Sequence, residues 1–243
     1  MTRALPALLA ALAWGLAPGA AAAQEAQAGL DALLGGASLT LTSVQLVALL
    51  TVLSLAPGIA ITVTCFPFVV TVLSILRQAI GLQAAPPNML IVSLALFLTY
   101  FVMEPVATAA WEAGVGPFTR GEMTLAEAAP LAVDPFRAFM QARVDPDTHL
   151  HMAALRPDAP EGALSVLIPS FMLSEIARAF QIGFLVFMPF LIIDMVVAAV
   201  LMSMGMMMVP PAIVSLPFKL AFFVAVDGWA LIAGALVAGY ATT

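Results

Sequence analysis

Charged residues occupy only a few parts of this chain, and long uncharged apolar runs separate them. No Asp, Glu, Lys or Arg lies between Asp31 and Arg77, or between Arg77 and Glu104. A charge within the hydrocarbon of a membrane costs about 2.5–3.5 kcal/mol even on the lenient insertion scale. The uncharged runs are therefore candidate membrane helices.

The first apolar part, residues 44–103, is expected to form a hydrophobic helical hairpin. Because Pro57 and the glycine after it interrupt the run, the pattern predicts a helix near 44–56 that continues, bent, through 59–76. A Pro-Pro-Asn turn then precedes a second predicted helix over 89–103.

The second apolar part, residues 164–243, is expected to form another helical hairpin, with one arm over 169–204 and the other over 213–240. Between the two hairpins, residues 104–163 hold nine acidic residues, four basic residues and both histidines. Prolines and glycines recur through this segment, which predicts short helices and turns outside the membrane.

Residues 1–23 have the layout of a signal peptide. One basic residue, Arg3, precedes a short apolar stretch, and a run of small residues offers a cleavage pattern. The alternative is an uncleaved first anchor. After cleavage, residues 24–43 would form an N-terminal tail outside the cytoplasm. Two following spans would return the chain to that side, which places 104–163 outside and Arg77 inside, in agreement with the positive-inside tendency.

Composition agrees with a membrane protein and excludes several classes. Hydrophobic residues make up 63% of the chain and charged residues 9%, against about 25% charged in a soluble domain; the mean hydropathy is +1.09. The net charge of −6 argues against nucleic-acid binding. A single cysteine, Cys65, excludes a disulfide within the chain. The expected fold class is an all-α integral membrane protein with two hydrophobic helical hairpins separated by an external helical segment.

Enzymatic and metal-binding patterns are weak. An extended stretch from Asp145 and Asp147 to His149 and His151 would present several metal ligands on one face, but a solvated polar loop explains the same residues. No Gly-x-Ser-x-Gly, His-Glu-x-x-His or phosphate-binding loop occurs. An intramembrane enzyme would need a nucleophile and base pair, which the sequence does not identify. We predict no enzyme, no metal and no cofactor.

Ionisable residues within the second hairpin are candidates for function. Asp194 lies in the first arm, and Lys219 and Asp227 lie in the second. Glu175 and Arg178 add one charge of each sign at i and i+3 on one helix face. Three interpretations remain open: local pairing that holds the hairpin together, pairing across subunits, and a proton or ion relay.

The tip of the second hairpin combines helix breakers with methionines. Gly205 precedes Met206, Met207 and Met208, and the breakers Pro210 and Pro211 follow. Methionine side chains are flexible and adapt to irregular shapes. The run therefore is either apolar filler or a seal.

Several segments, taken together, resemble the FliP family of flagellar export-gate proteins, in the family's order over most of residues 44–240. The external segment matches only diffusely, and the basic residue that many members carry is absent from the stretch that reads Cys65-Phe66-Pro67-Phe68 here. The matching segments are Ala85-Pro86-Pro87-Asn88, Leu94-Ala95-Leu96-Phe97-Leu98-Thr99, Ser174-Glu175, Ala179-Phe180-Gln181-Ile182-Gly183-Phe184, Pro189-Phe190-Leu191-Ile192-Ile193-Asp194, Gly205-Met206-Met207-Met208-Val209-Pro210-Pro211, Leu216-Pro217-Phe218-Lys219-Leu220 and Val226-Asp227-Gly228-Trp229.

This resemblance implies a pore-forming subunit of the flagellar type III export gate, which passes unfolded flagellar subunits across the bacterial inner membrane at the flagellar basal body. It implies a homo-oligomeric ring, a pentamer, with two further membrane proteins of the FliQ and FliR type. The family assembly is lifted out of the plain bilayer plane, and residues 104–163 would then face the periplasm.

The resemblance also assigns expected roles to individual residues. Met206, Met207 and Met208 are expected to form a gasket that closes the channel at rest. Glu175 and Lys219 are expected to form an ion pair between neighbouring subunits. The alternative function is a small-solute or ion transporter that uses Asp194 and Lys219.

Overall fold

The computed structural model describes residues 39–82, 86–206 and 208–241, and all of the regular elements within these ranges are helices. The predicted signal peptide, residues 1–23, lies outside the described residues. The same holds for residues 24–38 of the predicted tail and for Met207.

The chain divides into two compact units, Met1–Pro57 and Gly58–Thr243. The described residues of the first unit belong to helix α1 (Leu39–Thr62), which runs through Pro57 and ends in the second unit.

The prediction that this helix continues, bent at Pro57, as far as residue 76 is wrong, because α1 runs through Pro57 and the helix breaks at Val63–Cys65. Helix α2 (Phe66–Ile80) starts there with Pro67 in its first turn, where a proline costs no intrahelical hydrogen bond. The helix axis turns by 73° at this break, between Ser54–Thr62 and Phe66–Ile80.

Helix α3 (Asn88–Ala110) continues through a π-helical turn (Trp111–Val115) into the short helix α4 (Gly116–Thr119). The prediction that this helix ends at Met103 is therefore too early. Glu104 is exposed, so its charge does not oppose continuation of the helix.

Two further helices lie between α4 and the second apolar part, α5 (Leu125–Arg143) and α6 (Pro146–Ala154). The extended stretch proposed for the two histidines is wrong, because Asp145 caps α6 and the histidines lie within that helix. Side chains two positions apart on a helix point in different directions, so His149 and His151 do not share a face. Within residues 39–82, 86–206 and 208–241, no group of three His, Cys, Asp or Glu side chains is placed to hold a metal ion.

The segment predicted to form the second hairpin consists of α7 (Leu164–Ser203), α8 (Pro211–Ala225) and α9 (Gly228–Ala241). The prediction of one continuous return helix over 213–240 is wrong, because α8 and α9 are bent by 60°. Asp227 between them has a φ of 51°, which a helix interior does not allow.

The core of the second unit lies around α2, which packs mainly against α7 and also against α3. Gly183 permits the close approach of α7, because a Cβ atom there would lie 2.4 Å from the Ile75 side chain. The buried face of α2 carries Phe68, Val69, Val72, Leu73, Leu76, Ala79 and Ile80.

Two helical stretches are long and apolar enough to cross a membrane, Asn88–Thr119 and Leu164–Ser203. Counting each bent helix pair as one span raises the number to as many as four. These counts of candidate membrane spans rest on the length and composition of the helices among the described residues.

Candidate functional site

A short non-helical loop forms the tip of the second hairpin. At the end of α7, the N–H of Gly205 donates to the carbonyl of Met202 at 3.0 Å, and the N–H of Met206 donates to the carbonyl of Leu201 at 2.9 Å. This is the Schellman arrangement, in which a left-handed residue closes a helix. Gly205 supplies that residue with a φ of 75°.

Methionine side chains are exposed on this loop. Met208 is 98% exposed and Met206 is 41% exposed, while Met207 lies outside the described residues. Pro210 and Pro211 have no N–H to donate, and α8 begins only at Pro211. The loop therefore projects apolar, flexible side chains from the ends of two helices.

An apolar cavity of about 570 Å³ lies behind the tip, between α7 and α8. Among the residues that line it are Val197, Val200, Met204, Met206, Val214 and Phe218. The walls on both helices are apolar, so the space favours hydrocarbon over water.

Lys219 and Asp194 form an ion pair within the second hairpin. The Lys219 Nζ lies 2.6 Å from Asp194 Oδ2 and 3.1 Å from the carbonyl oxygen of Ala79. Ser215 donates to the other carboxylate oxygen of Asp194 at 2.5 Å. The lysine side chain is 6% exposed and the aspartate side chain is 35% exposed.

This ion pair joins three helices. Asp194 comes from α7, and Ser215 and Lys219 come from α8. Ala79 lies in the last turn of α2, where carbonyl oxygens lack partners within the helix, and a positive charge is favourable near a helix C-terminus. Lys219 therefore also caps the end of α2.

Glu175 is the centre of a second polar cluster. Its side chain on α7 is fully buried. One carboxylate oxygen lies 3.4 Å from Arg143 Nε and 3.5 Å from Arg178 Nη1. The other oxygen accepts a hydrogen bond from the Tyr240 hydroxyl.

Arg143 connects this cluster to the last helix. Its guanidinium carbon lies 3.7 Å from the centre of the Tyr240 ring, within the range of a cation–π contact. Its Nη1 donates to the carbonyl oxygen of Gly239 at 3.3 Å. The cluster therefore joins α5, α7 and α9.

The structure gives Glu175 and Lys219 different partners within one chain. Asp194, the partner of Lys219, lies 19 residues after Glu175 on the same helix, which is about 28 Å along its axis. The ion pair between neighbouring subunits stays a prediction. To pair across subunits in a ring, Glu175 and Lys219 would have to share or give up the partners that they have within the chain.

Asp227 lies exposed at the bend between α8 and α9. Together with Arg77 and Trp229 it lines a mostly apolar cavity of about 460 Å³. The structure therefore places Asp227 apart from Asp194, although the sequence groups both as intramembrane charges.

An exposed apolar stripe runs along α7. Its positions lie three or four residues apart, as on one face of a helix that packs against another. The stripe consists of Leu173, Ala177, Phe180, Phe184, Met188, Leu191 and Met195.

Residues 49–236 match the FliP family. The chain belongs to the FliP family. This finding confirms the resemblance drawn from the sequence segments.

This FliP family chain is similar to proteins named flagellar biosynthetic protein FliP. The relative from Caulobacter vibrioides is 51% identical over 243 residues, which cover 98% of this chain and 90% of the relative. Rhizobium meliloti has a relative 47% identical over 79% of this chain and 81% of its own length. The relative from Bacillus subtilis is 46% identical over 82% of this chain and 92% of its own length.

Four residues of the two polar clusters in this FliP family chain were not identified from the sequence, namely Ala79, Arg143, Ser215 and Tyr240. Ser215 lies four positions before Lys219, so their common helix face was a usable signal. Tyr240 is one of only two tyrosines and lies in an apolar helix, which signals a hydroxyl in need of a partner. Arg143 and the Ala79 carbonyl gave no signal, because their contacts depend on how distant helices pack.

Proposed function

We propose that this chain is a pore-forming subunit of the flagellar protein export gate, through which unfolded flagellar subunits cross the bacterial inner membrane. Family membership supports a role in the flagellar export apparatus, because the relatives carry the name flagellar biosynthetic protein. The observation that carries the pore-forming role is the exposed methionine loop at the tip of an apolar hairpin.

Several copies of the chain would assemble into a ring, a pentamer in our proposal. The apolar stripe on α7 supports this assembly, because a contiguous exposed apolar surface of this length is typical of an interface or a membrane contact. Membrane proteins of the FliQ and FliR type would cover further apolar faces. The complex would lie in the inner membrane at the flagellar basal body, with residues 104–163 towards the periplasm.

In this ring, the tip loops would meet at the central axis and close the channel at rest. Methionine suits a gasket because it excludes water and yet adapts its shape around a passing polypeptide. A ring of Ile or Val would be stiffer at χ1, and a ring of charges would remain hydrated and let ions through.

The experiment is a triple replacement of Met206, Met207 and Met208 by Ala. We expect the complex to assemble on native gels while the membrane becomes more permeable to small ions and dyes. The matched control replaces three methionines far from the tip, namely Met89, Met123 and Met152. If the tip variant assembles and secretes with a membrane as tight as that of the control, the methionines are filler and the gate lies elsewhere.

The transporter alternative requires Asp194 and Lys219 to bind a solute or relay a proton. Within the chain these two side chains bind each other, and Lys219 also binds the end of α2, which favours a structural role. Solute or ion transport by the purified chain alone in liposomes would support the alternative, because an export gate requires its partners.

A further inference from the structure

We propose that Tyr240, at the end of the last helix, is a latch that holds the external helix α5 on the long helix α7. Tyr240 contributes a hydroxyl donor and an aromatic ring to the buried ion pair between Arg143 and Glu175. Docking of the external segment would then depend on the last turn of α9.

The ion pair between Arg143 and Glu175 is buried. The side chain of Glu175 is fully buried and that of Arg143 is 4% exposed. A buried carboxylate needs several donors, because taking a charge out of water is costly unless hydrogen bonds satisfy it. The Arg143 and Arg178 contacts to Glu175 are long, at 3.4 and 3.5 Å, so the Tyr240 hydroxyl supplies an important further donor.

The aromatic ring of Tyr240 makes contacts of its own, separate from those of the hydroxyl. The Arg143 guanidinium lies over the ring face. The ring also stacks on Phe139 of α5, with centroids 6.1 Å apart and planes inclined by 16°. The ring of Phe68 from α2 makes an edge-to-face contact with it, with centroids 5.5 Å apart and planes inclined by 75°. One side chain therefore touches three helices.

The contacts with the buried ion pair lie at one end of α9. The body of this helix packs against α3 and α8, whereas Gly239 and Tyr240, in its last turn, reach Arg143 and Glu175. Loss of the last turn would leave most of the helix packing intact. The same loss would remove the donor and the ring from the buried pair, which makes this end of the helix a separable latch.

Limited trypsin digestion of the full chain in detergent tests the proposal. Arg143 is buried and protected from cleavage, whereas Arg120 is exposed and serves as an internal reference. Cleavage after Arg143 measures how often the external helix opens from α7, because native-state proteolysis follows the population of the open form.

Two variants separate the roles of the hydroxyl and the ring. Tyr240→Phe keeps the ring and removes the donor to a charged group, so cleavage after Arg143 should rise about tenfold relative to cleavage after Arg120. Tyr240→Leu removes the ring as well, and the rise should be larger. The single cysteine, Cys65, lies fully buried one turn before Phe68, so its labelling by N-ethylmaleimide should also increase in Tyr240→Leu.

The matched control is Trp229→Leu, which removes an aromatic ring from the other end of the same helix. Trp229 packs on Phe223, 5.4 Å between centroids. We expect this variant to leave cleavage after Arg143 unchanged. The latch is refuted if neither Tyr240 variant raises this cleavage, if Trp229→Leu raises it equally, or if cleavage rises in parallel after Arg120.

Discussion

At the scale of single residues, the Lys219–Asp194 pair is asymmetric, and this asymmetry can be measured. The ammonium of Lys219 is nearly inaccessible to water, whereas about a third of Asp194 is accessible. Removing Asp194 therefore leaves a buried cation with Ala79 as its remaining partner, while removing Lys219 leaves a carboxylate that reaches water and keeps Ser215.

We expect Asp194→Ala to destabilise the chain more than Lys219→Met. An uncompensated buried charge costs about 3–5 kcal/mol, while the methionine keeps most of the apolar stem of the lysine. The double variant should be more stable than Asp194→Ala alone. Melting temperatures of the four proteins in detergent provide the cycle. The control is Asp227→Asn, which removes an exposed negative charge and tolerates the left-handed backbone at that position. Equal losses in the two single variants would contradict the asymmetry.

At the scale of elements, the start of α6 depends on an ionised cap. Asp145 Oδ2 accepts hydrogen bonds from the N–H and the hydroxyl of Thr148, both at 2.8 Å. These bonds, with the backbone donor first, lower the pKa of Asp145 from its ordinary value of 3.8. Because the pKa of Asp145 is lowered in the folded chain, the cap contributes its full stabilisation at pH values above the ordinary pKa of 3.8. The stabilisation is lost as the pH falls below 3.8 and through the lowered pKa.

Hydrogen exchange of the Thr148 amide measures this cap. In the natural chain, we expect its protection, corrected for the intrinsic rate, to stay constant at neutral and mildly acid pH and to fall below about pH 3.8. Asp145→Ala should reduce the protection at neutral and mildly acid pH, and the natural chain should approach the protection of this variant once the pH falls through the lowered pKa. Asp145→Asn, which also caps helices well, should restore most of it without the acid transition. An acid transition that persists in Asp145→Asn would show that another group is responsible.

The sequence predicted which segments are helical better than it predicted where the helices break. The apolar runs and the charged segment between them correspond to the helices of the structure. The break at Val63–Cys65 was missed because Pro57 is the more obvious signal, although Pro67 is better placed to begin a helix. The bend at Asp227 was missed because a left-handed backbone is uncommon for any residue other than glycine.

The candidate site was predictable to the extent that its signals are local. The tip loop is predictable from the sequence itself, because it contains the helix breakers Gly205, Pro210 and Pro211. The polar clusters were identified only in part, because Asp194 and Lys219 are visible as charges in apolar helices while their pairing is a tertiary fact. Glu175 belongs with Arg143 and Tyr240, residues 32 positions before it and 65 positions after it, and no local pattern connects such distant positions.

At the scale of the whole molecule, two helical stretches exceed the thickness of a membrane. Asn88–Thr119 has 32 residues and Leu164–Ser203 has 40, which correspond to lengths of about 48 and 60 Å. The hydrocarbon core is about 30 Å thick. Tilting accommodates part of this excess, but exposed Glu104 and Glu112 in the second half of the first stretch favour an extension beyond the membrane.

Cysteine labelling distinguishes a helix that spans the membrane from one lifted out of it. Starting from a Cys65→Ala background, single cysteines replace the exposed residues Phe97 and Glu112, about 14 and 36 Å along the stretch from Asn88. If Asn88 lies at the cytoplasmic edge, a membrane-impermeant maleimide added from the periplasmic side should label position 112 and leave position 97 unlabelled in the unassembled chain. A complex raised out of the bilayer predicts labelling at both positions wherever neighbouring subunits leave them accessible. Labelling of position 112 only from the cytoplasmic side would reverse the proposed topology.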